Sequence, residues 1–261
     1  MSLRSRLKLL ILGGTTEAYD LAQALAPRRD LAVVTSLAGR TANPRRPAGE
    51  VRVGGFGGAD GLGDYLRKSD MDLVIDATHP FASRMGWNAA AACNAAGLAL
   101  LRLERPPWRP GPGDQWLEFD DWIEAATLVT ARTARRVLLA VGRQELVPFS
   151  GIDAAWFLIR SVEAPAPMPP FRHAELLLAR GPFTLEGEHA LLAERRIDLI
   201  VCKNSGGTAT DAKLAAAREL GIAVAMKRRP ARPGVPVVDS VAAALAWLDS
   251  VQPAVGYQRG V

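Results

Sequence analysis

Residues 9–17 read Leu-Leu-Ile-Leu-Gly-Gly-Thr-Thr-Glu, and this stretch decides the fold prediction. Its apolar residues predict a short buried strand, Gly13-Gly14 predicts a turn, and a helix is predicted from Glu17 to about Ala26. A strand, a glycine turn and a helix N-terminus in this order form an anion site, because free N–H groups and the helix dipole favour phosphate. We interpret the turn as the pyrophosphate site of a nicotinamide dinucleotide.

Two later stretches of the chain parallel each other. Asp72–His79 (Asp-Leu-Val-Ile-Asp-Ala-Thr-His) matches Asp198–Ser205 (Asp-Leu-Ile-Val-Cys-Lys-Asn-Ser), and each is an apolar strand that enters a polar turn. An alanine-rich helix, a glycine stop and a second strand follow each copy. The sequence therefore predicts an internal repeat with two domains, residues 1–133 and 134–261, whose terminal strands and helices could be exchanged.

The order of elements predicts an α/β fold. Strands that are apolar on both faces and alternate with helices indicate parallel sheets covered by helices. We expect two Rossmann-like domains with mainly parallel sheets and a ligand cleft between them, at the carboxyl ends of the strands.

Composition narrows the class of protein. The 261 residues are 49% hydrophobic, yet no apolar run reaches about 18 residues, so we expect no membrane segment. The apolar run Leu9–Leu12 is too short for a signal peptide, and we expect a cytoplasmic monomer with reduced Cys93 and Cys202.

The 27 Arg against 5 Lys favour either a carboxylate- or phosphate-rich ligand or a GC-rich genome, with equal weight. The basic residues are dispersed, which argues against nucleic acid.

The glycine turn alone is a weak signal. It departs from the pattern G-x-G-x-x-G at Thr15 and Ala18, and a turn that only packs a helix on a sheet is the alternative. Thr15 and Thr16 could donate hydroxyl protons to phosphate or cap the helix.

The second strand, Leu31–Leu37, discriminates between cofactors. An NAD site would end this strand in a carboxylate, whereas here it ends in Thr35-Ser36 with Arg40 close behind. A hydroxyl and an arginine suit the 2′-phosphate of NADPH. The alternative is that Ser36 caps a turn and Arg40 is solvated.

A glycine-rich stretch follows the next strand. Gly54, Gly55, Gly57, Gly58, Gly61 and Gly63 predict a flexible loop that covers the cofactor, acts as a lid, or has no such role.

The polar turns of the repeat are the remaining candidates. His79 lies between Thr78 and Pro80 in a predicted turn, where it could transfer a proton or serve structure only. In the second half, Gly142-Arg143 and Lys203–Thr208 offer cations, hydroxyls and N–H groups for carboxylates, or are ordinary helix caps. No His/Cys/Asp cluster has metal-ligand spacing, and no nucleophile triad is visible.

Four motifs taken together resemble the precorrin-6A reductase family of cobalamin biosynthesis over nearly the whole chain. They are Leu12–Glu17, Asp76–Phe81, Gly142-Arg143 and Lys203–Thr208. The resemblance implies NADPH, a tetrapyrrole-derived polycarboxylate substrate and hydride transfer to carbon 19 of the macrocycle. It implies cofactor contacts at Gly13, Gly14, Thr15, Thr16, Glu17, Ser36, Arg40, Thr78, His79 and Pro80. From the glycine-rich loop we add Gly54 and Gly57 as candidate cofactor contacts. It implies substrate contacts at Arg143, Lys203, Asn204, Ser205, Gly206, Gly207 and Thr208.

Other functions stay open from the sequence. A similar reductase of the cobalt-containing branch would act on cobalt-precorrin-6A. A two-domain tetrapyrrole lyase or synthase would need no phosphate turn. An NADP-binding sensor would bind NADPH but would not oxidise it with any macrocycle. The proton donor is unassigned among water, substrate, His79 and Lys203.

Overall fold

The computed structural model describes residues 6–39 and 46–258. Two compact units divide the chain: residues 1–106 with 230–261, and residues 107–229. None of the helices in the described ranges is long and apolar enough to cross a membrane.

The described residues of these units form twelve strands and seven α-helices. The strands are β1 (Leu7–Leu12), β2 (Leu31–Leu37), β3 (Glu50–Val53), β4 (Leu73–Asp76), β5 (Ala99–Leu103), β6 (Trp116–Phe119), β7 (Arg136–Ala140), β8 (Trp156–Ser161), β9 (Ala174–Leu178), β10 (Leu199–Lys203), β11 (Ala223–Lys227) and β12 (Val237–Val238). The helices are α1 (Thr16–Leu25), α2 (Gly58–Lys68), α3 (Ser83–Ala96), α4 (Trp122–Ala131), α5 (Leu185–Glu194), α6 (Ala212–Glu219) and α7 (Val241–Gln258).

Both sheets are six-stranded, parallel and identical in topology. The first has the order β12-β5-β4-β1-β2-β3, and the second has the order β6-β11-β10-β7-β8-β9. Every described pairing is parallel. The central run β3-β2-β1-β4-β5 and its counterpart follow the strand order of dinucleotide-binding folds. The predicted α/β class with parallel sheets is confirmed.

The sixth strand of each sheet comes from the other half of the chain. β6 follows β5 in sequence but pairs with β11, and β12 follows β11 but pairs with β5. The limits of the compact units therefore differ from the predicted boundary between residues 133 and 134. Residues 107–133 belong to the second compact unit and residues 230–261 to the first.

Strand β1 is buried on both faces. Leu9 and Ile11 pack in a cluster with α1 and α7, whereas Leu10 and Leu12 pack in a cluster with α2 and α3. Alternate side chains of a strand point to opposite faces, so helices must cover both. Each fully buried leucine contributes about 2 kcal/mol of transfer free energy. This burial fixes the position of the turn that follows.

Two local structures differ from the predictions. The sequence pattern predicts helices over 88–96 and 241–248, whereas α3 begins at Ser83 and α7 extends to Gln258. After β7, the second unit has two short 3₁₀ turns, Arg143–Glu145 and Val147–Phe149, in the place that α1 occupies in the first. The first turn of the second unit therefore lacks a long helix with an N-terminal dipole.

Candidate functional site

The glycine turn after β1 combines packing with an open backbone. Gly13 donates its N–H to Ser36 O at 2.9 Å, and a Cβ on Gly13 would lie 3.0 Å from Thr35 Cγ2. Gly13 therefore lets α1 approach the sheet. Gly14 has φ +112°, which favours glycine, and a Cβ there would meet no described atom within 4 Å. Gly14 leaves the backbone open beside the α1 N-terminus.

Thr15 connects this turn to the turn after β4. Its Oγ1 accepts a hydrogen bond from Ala18 N at 3.2 Å and donates one to Ala77 O at 2.7 Å. The residue is buried, and its single hydroxyl proton is directed to Ala77. Thr15 thus acts as the cap of α1, and Thr16 remains the predicted hydroxyl donor to phosphate.

Glu17 lies in the first turn of α1 and forms an ion pair. Its carboxylate is 2.8 Å from Arg105, and both side chains are mostly buried. A carboxylate at a helix N-terminus is stabilised by the helix dipole, and Arg105 adds a cation beside the glycine turn. No local sequence signal marks Arg105, because it lies 88 residues from Glu17 in the chain.

A second cation that the sequence analysis missed lies at the end of β2. Arg52 on β3 donates to Ser36 Oγ at 3.3 Å, to Gly54 O at 2.5 Å and to Gly55 O at 2.8 Å. Its guanidinium carbon is 3.8 Å from the Phe56 ring centroid. The only sequence signal was an arginine in a short strand that leads into Gly54-Gly55. Arg40, the cation that the sequence did single out, lies outside the described residues.

The glycine-rich stretch is only partly a loop. Gly54 and Gly57 have φ +122° and +83°, and Cβ atoms there would meet nothing within 4 Å, so these positions form open surface. The prediction that Gly58, Gly61 and Gly63 belong to the loop is wrong, because all three lie in α2. A Cβ on Gly61 would lie 1.8 Å from the carbonyl oxygen of Phe56, so this glycine serves helix–loop packing.

The turn Thr78–Pro80 lies directly after β4 and is held by buried charges. Asp76 accepts hydrogen bonds from Thr78 N at 3.1 Å and Thr78 Oγ1 at 2.6 Å. Arg232 contacts the other Asp76 oxygen at 2.6 Å and the carbonyl oxygens of His79 and Pro80 at 3.4 Å. The turn is therefore fixed beside the glycine turn, as the parallel order β4-β1 requires.

The His79 ring has a defined tautomer when neutral. Its Nδ1 accepts a hydrogen bond from Phe81 N at 3.2 Å, which places the ring proton on Nε2. The Phe81 ring lies against it at a centroid distance of 5.8 Å. This geometry fits a shaped turn and does not by itself assign proton transfer to His79.

In the second unit, the predicted cations are paired with carboxylates. Lys203 Nζ lies 2.6 Å from Glu145 Oε1, and Arg143 lies 3.2 Å from Glu163. Lys227, beside Lys203 on the next strand, was missed by the sequence analysis. The pKa of Lys227 is lowered, because burial, with a contribution from Lys203, outweighs the opposing effect of Asp121, Asp120 and Glu145.

The turn after Lys203 is built on Trp108. Asn204 Oδ1 accepts from Trp108 N at 2.8 Å, and its Nδ2 donates to Trp108 O at 2.9 Å. The Trp108 indole donates to Gly207 O at 2.8 Å, and Gly206 and Gly207 adopt φ +69° and +74°. Asn204 thus has a structural task in addition to its predicted contact with substrate.

Ser205 and Thr208 are two further residues of this turn that are predicted to contact the substrate. Ser205 donates its backbone N–H to Lys203 O at 2.7 Å. Thr208 is exposed and lies before α6, which begins at Ala212, so it is not the cap of that helix. Within residues 6–39 and 46–258, no group of three His, Cys, Asp or Glu side chains could hold a metal ion.

The structure thus gathers the predicted residues in two groups. The described cofactor residues surround the carboxyl ends of β1, β2, β3 and β4, and the predicted substrate residues follow β7 and β10. Their roles in ligand binding stay predictions.

Sequence comparison then decides the family. Residues 8–249 match the family described as Precorrin-6x reductase CbiJ/CobK. The chain belongs to the precorrin-6x reductase family. The resemblance seen in the four sequence motifs is confirmed.

Individual members of this reductase family agree with the assignment. A precorrin-6A reductase from Rhodococcus erythropolis is 50% identical over 246 residues, which cover 94% of this chain and 98% of the relative. A solved CobK precorrin-6A reductase superposes with a TM-score of 0.88 at 42% identity and covers 94% of this chain and 97% of its own. A cobalt-precorrin-6A reductase from Methanothermobacter thermautotrophicus is 28% identical and covers 87% of this chain and 78% of its own.

Proposed function

We propose that this chain reduces precorrin-6A to precorrin-6B with NADPH, by hydride transfer to carbon 19 of the macrocycle. The observation that carries the proposal is the turn after β1, where Gly14 is open and α1 begins at Thr16. First-turn N–H groups of a helix have no intrahelical partner and attract phosphate. This feature fits a dinucleotide, whereas a cofactor-free lyase or synthase needs no phosphate-binding turn.

The end of β2 supports NADPH rather than NADH. The strand ends in Ser36 and Leu37 without the carboxylate that binds a ribose 2′-hydroxyl. The Arg52 guanidinium lies 3.3 Å from Ser36 Oγ, so a 2′-phosphate there would meet a hydroxyl and a cation. Arg40 is a further candidate cation, as the sequence predicts.

The remaining residues have binding and orienting roles in this proposal. Thr78, His79 and Pro80, held by Asp76 and Arg232, would line the nicotinamide end of the cofactor site. Lys203 and Arg143, with the turn Asn204–Thr208, would bind carboxylates of the macrocycle. NADPH supplies the hydride when bound, and the protein contributes mainly positioning. The proton donor stays unassigned.

Calorimetry with NADPH and NADH tests the cofactor directly. We expect NADPH to bind at least tenfold more tightly, and Arg40→Ala to weaken NADPH much more than NADH. An exposed arginine on α2, Arg67, provides the matched control Arg67→Ala. Equal affinities for the two nucleotides, or equal losses in Arg40→Ala, would contradict the 2′-phosphate assignment.

Turnover assays separate the remaining candidates. We expect faster NADPH oxidation with precorrin-6A than with cobalt-precorrin-6A. The relatives named precorrin-6A reductase have a higher sequence identity to this chain than the relative named cobalt-precorrin-6A reductase. Preference for the cobalt form would reverse this choice. Tight NADPH binding without oxidation by either macrocycle would indicate a sensor. We also propose that the protein acts in the cytoplasm and as a monomer. Light scattering of the purified chain tests whether it is a monomer.

A further inference from the structure

Two lysines stand side by side at the carboxyl edge of the second sheet. Lys203 and Lys227 are the last residues of β10 and β11, and they are register partners in the parallel pairing. Adjacent parallel strands are about 4.8 Å apart, and register partners point to the same face. The two ammonium groups therefore leave the sheet edge next to each other.

Trp122 joins the two lysines into one structure. The indole belongs to the first residue of α4, and its ring centroid lies 5.6 Å from Lys203 Nζ and 4.8 Å from Lys227 Nζ. Lys227 also donates to the carbonyl oxygen of Asp120. An aromatic face within about 6 Å attracts an ammonium group, so Trp122 orients both cations without neutralising them.

The acidic side chains near Lys227 form an ion pair or hydrogen bonds with other groups. Asp120 pairs with Arg228 at 3.0 Å, and Asp121 caps α4 by accepting from Ile123 N and Glu124 N at 2.8 and 2.9 Å. Among the residues that the structure describes, no carboxylate lies within salt-bridge distance of Lys227. These carboxylates remain charged and act on Lys227 electrostatically, so the feature that distinguishes Lys227 is that none of them forms a direct ion pair with it.

The Lys203 ammonium group is paired with a carboxylate of the protein itself. Glu145 Oε1 lies 2.6 Å from Lys203 Nζ, with side-chain exposures of 22% and 17%. Glu145 folds back over Gly142, since a Cβ on Gly142 would lie 2.2 Å from Glu145 Oε2. The glutamate sits in a short 3₁₀ turn, Arg143–Glu145, so its rotation away requires no change in a sheet or a long helix.

We propose that Lys203, Lys227 and Trp122 form one carboxylate-binding site, in which Glu145 holds the place of a substrate carboxylate until that group displaces it. The assignment of the ligand to an aliphatic carboxylate side chain of the macrocycle rests on the proposed function. Lys227 and Trp122 then bind substrate alongside Lys203. Glu145 acts as an internal competitor that keeps Lys203 ordered while no substrate is bound.

Steady-state kinetics of Glu145→Gln test the competition. The amide keeps the shape but removes the charge, so the KM for the macrocycle should fall about tenfold, as loss of a competing charge-assisted contact implies. NADPH affinity should not change. Glu194→Gln removes the same charge from an exposed site in the same unit and should leave KM unchanged. A raised KM in Glu145→Gln would overturn the proposal, because it would make Glu145 a positioning residue for Lys203.

Substitutions of Lys227 test the second cation. Lys227→Gln should raise the KM for the macrocycle about tenfold and Lys227→Arg should restore most of this loss, with circular dichroism to verify folding. Lys68→Gln makes the same charge change at an exposed site of α2. An unchanged KM in folded Lys227→Gln would overturn the two-lysine site.

A binding experiment separates this proposal from the proposed function. Glutarate is added to ¹⁵N-tryptophan-labelled protein while the indole signal of Trp122, assigned with Trp122→Phe, is followed. We expect saturable shifts that strengthen in Glu145→Gln and vanish in Lys227→Gln, whether or not any macrocycle is reduced. If precorrin-6A is reduced normally but glutarate leaves the Trp122 signal unchanged, the site is wrong and the function stands. If glutarate binds in this pattern but no macrocycle is reduced, the site stands and the proposed function fails.

Discussion

Asp76 and Arg232 form a buried ion pair at 2.6 Å, although 156 residues separate them in sequence. Their side chains are 3% and 6% exposed. Gly86 makes room for the guanidinium, because a Cβ there would lie 2.9 Å from Arg232 Cζ. Since Arg232 also contacts the carbonyl oxygens of the His79 turn, the pair links the segment before β12 to the candidate cofactor site.

We expect Asp76→Asn and Arg232→Met each to lower the free energy of unfolding by about 3 kcal/mol, because either change leaves a buried charge unpaired. The double variant should lose clearly less than the sum of the two. Urea unfolding measures all three. Asp153→Asn breaks an exposed pair with Arg172 and should change stability by less than about 0.5 kcal/mol. Additive losses in the double variant would show that the pair is not coupled.

Arg52→Ala should weaken NADPH binding about tenfold or more, and NADH binding less. The guanidinium lies beside Ser36 Oγ and also holds the carbonyl oxygens of Gly54 and Gly55, so both phosphate binding and loop order depend on it. Calorimetry with each nucleotide measures the difference, and Arg67→Ala is the control. An equal loss of affinity for NADPH and NADH would indicate that Arg52 orders the loop and does not bind the 2′-phosphate.

The repeat and the parallel sheets were predictable because apolar strands, glycine stops and alanine-rich helices are local signals. The glycine turn and the turn after β4 were predictable for the same reason. Four basic residues of the candidate sites were not predictable, because the role of each depends on a partner that is not its neighbour in sequence. They are Arg52, Arg105, Arg232 and Lys227.

The exchange of β6 and β12 illustrates the same limit on a larger scale. The sequence shows that the two strands are equivalent, since Trp116–Asp120 and Val235–Asp239 occupy matching places in the repeat. It does not show which sheet each one joins. That choice depends on hydrogen bonds to β11 and β5, which form only in the folded chain.

Stability should fall as the pH rises above about 8.5, and Cys93 should account for part of the loss. Burial, with a contribution from Asp76, raises the pKa of the Cys93 thiol to about 12. An unfolded thiol ionises near pH 8.5, so the folded state holds the proton more tightly. Its stabilising contribution is therefore complete below that pH and is lost as the pH rises towards the folded-state pKa.

Urea unfolding at pH 7.5 and pH 10 tests this assignment. The unaltered protein should lose about 1–2 kcal/mol more than Cys93→Ala between the two pH values. Cys93→Ala will be less stable at both pH values because it leaves a cavity, so only the difference between the pH values is diagnostic. Identical pH dependence in the two proteins would contradict the raised pKa.

Asn204 provides a test of how the second unit holds its turn. Both polar atoms of its amide are bonded to the backbone of Trp108, and Arg229 donates to Asn204 O at 3.0 Å. In Asn204→Asp, an oxygen replaces the Nδ2 donor and faces the carbonyl oxygen of Trp108. We expect a loss of about 2 kcal/mol in the free energy of unfolding, as for other buried groups left unsatisfied.

Asn204→Asp is nearly isosteric, so packing should not contribute to that loss. The exposed Asn94 on α3 gives the control Asn94→Asp, which makes the same chemical change without a buried partner and should lose less than about 0.5 kcal/mol. If Asn204→Asp retains full stability yet raises the substrate KM, Asn204 serves ligand binding alone and the hydrogen bonds to Trp108 contribute little. Lost stability with an unchanged KM would instead assign Asn204 to the structure of the turn and remove it from the substrate contacts.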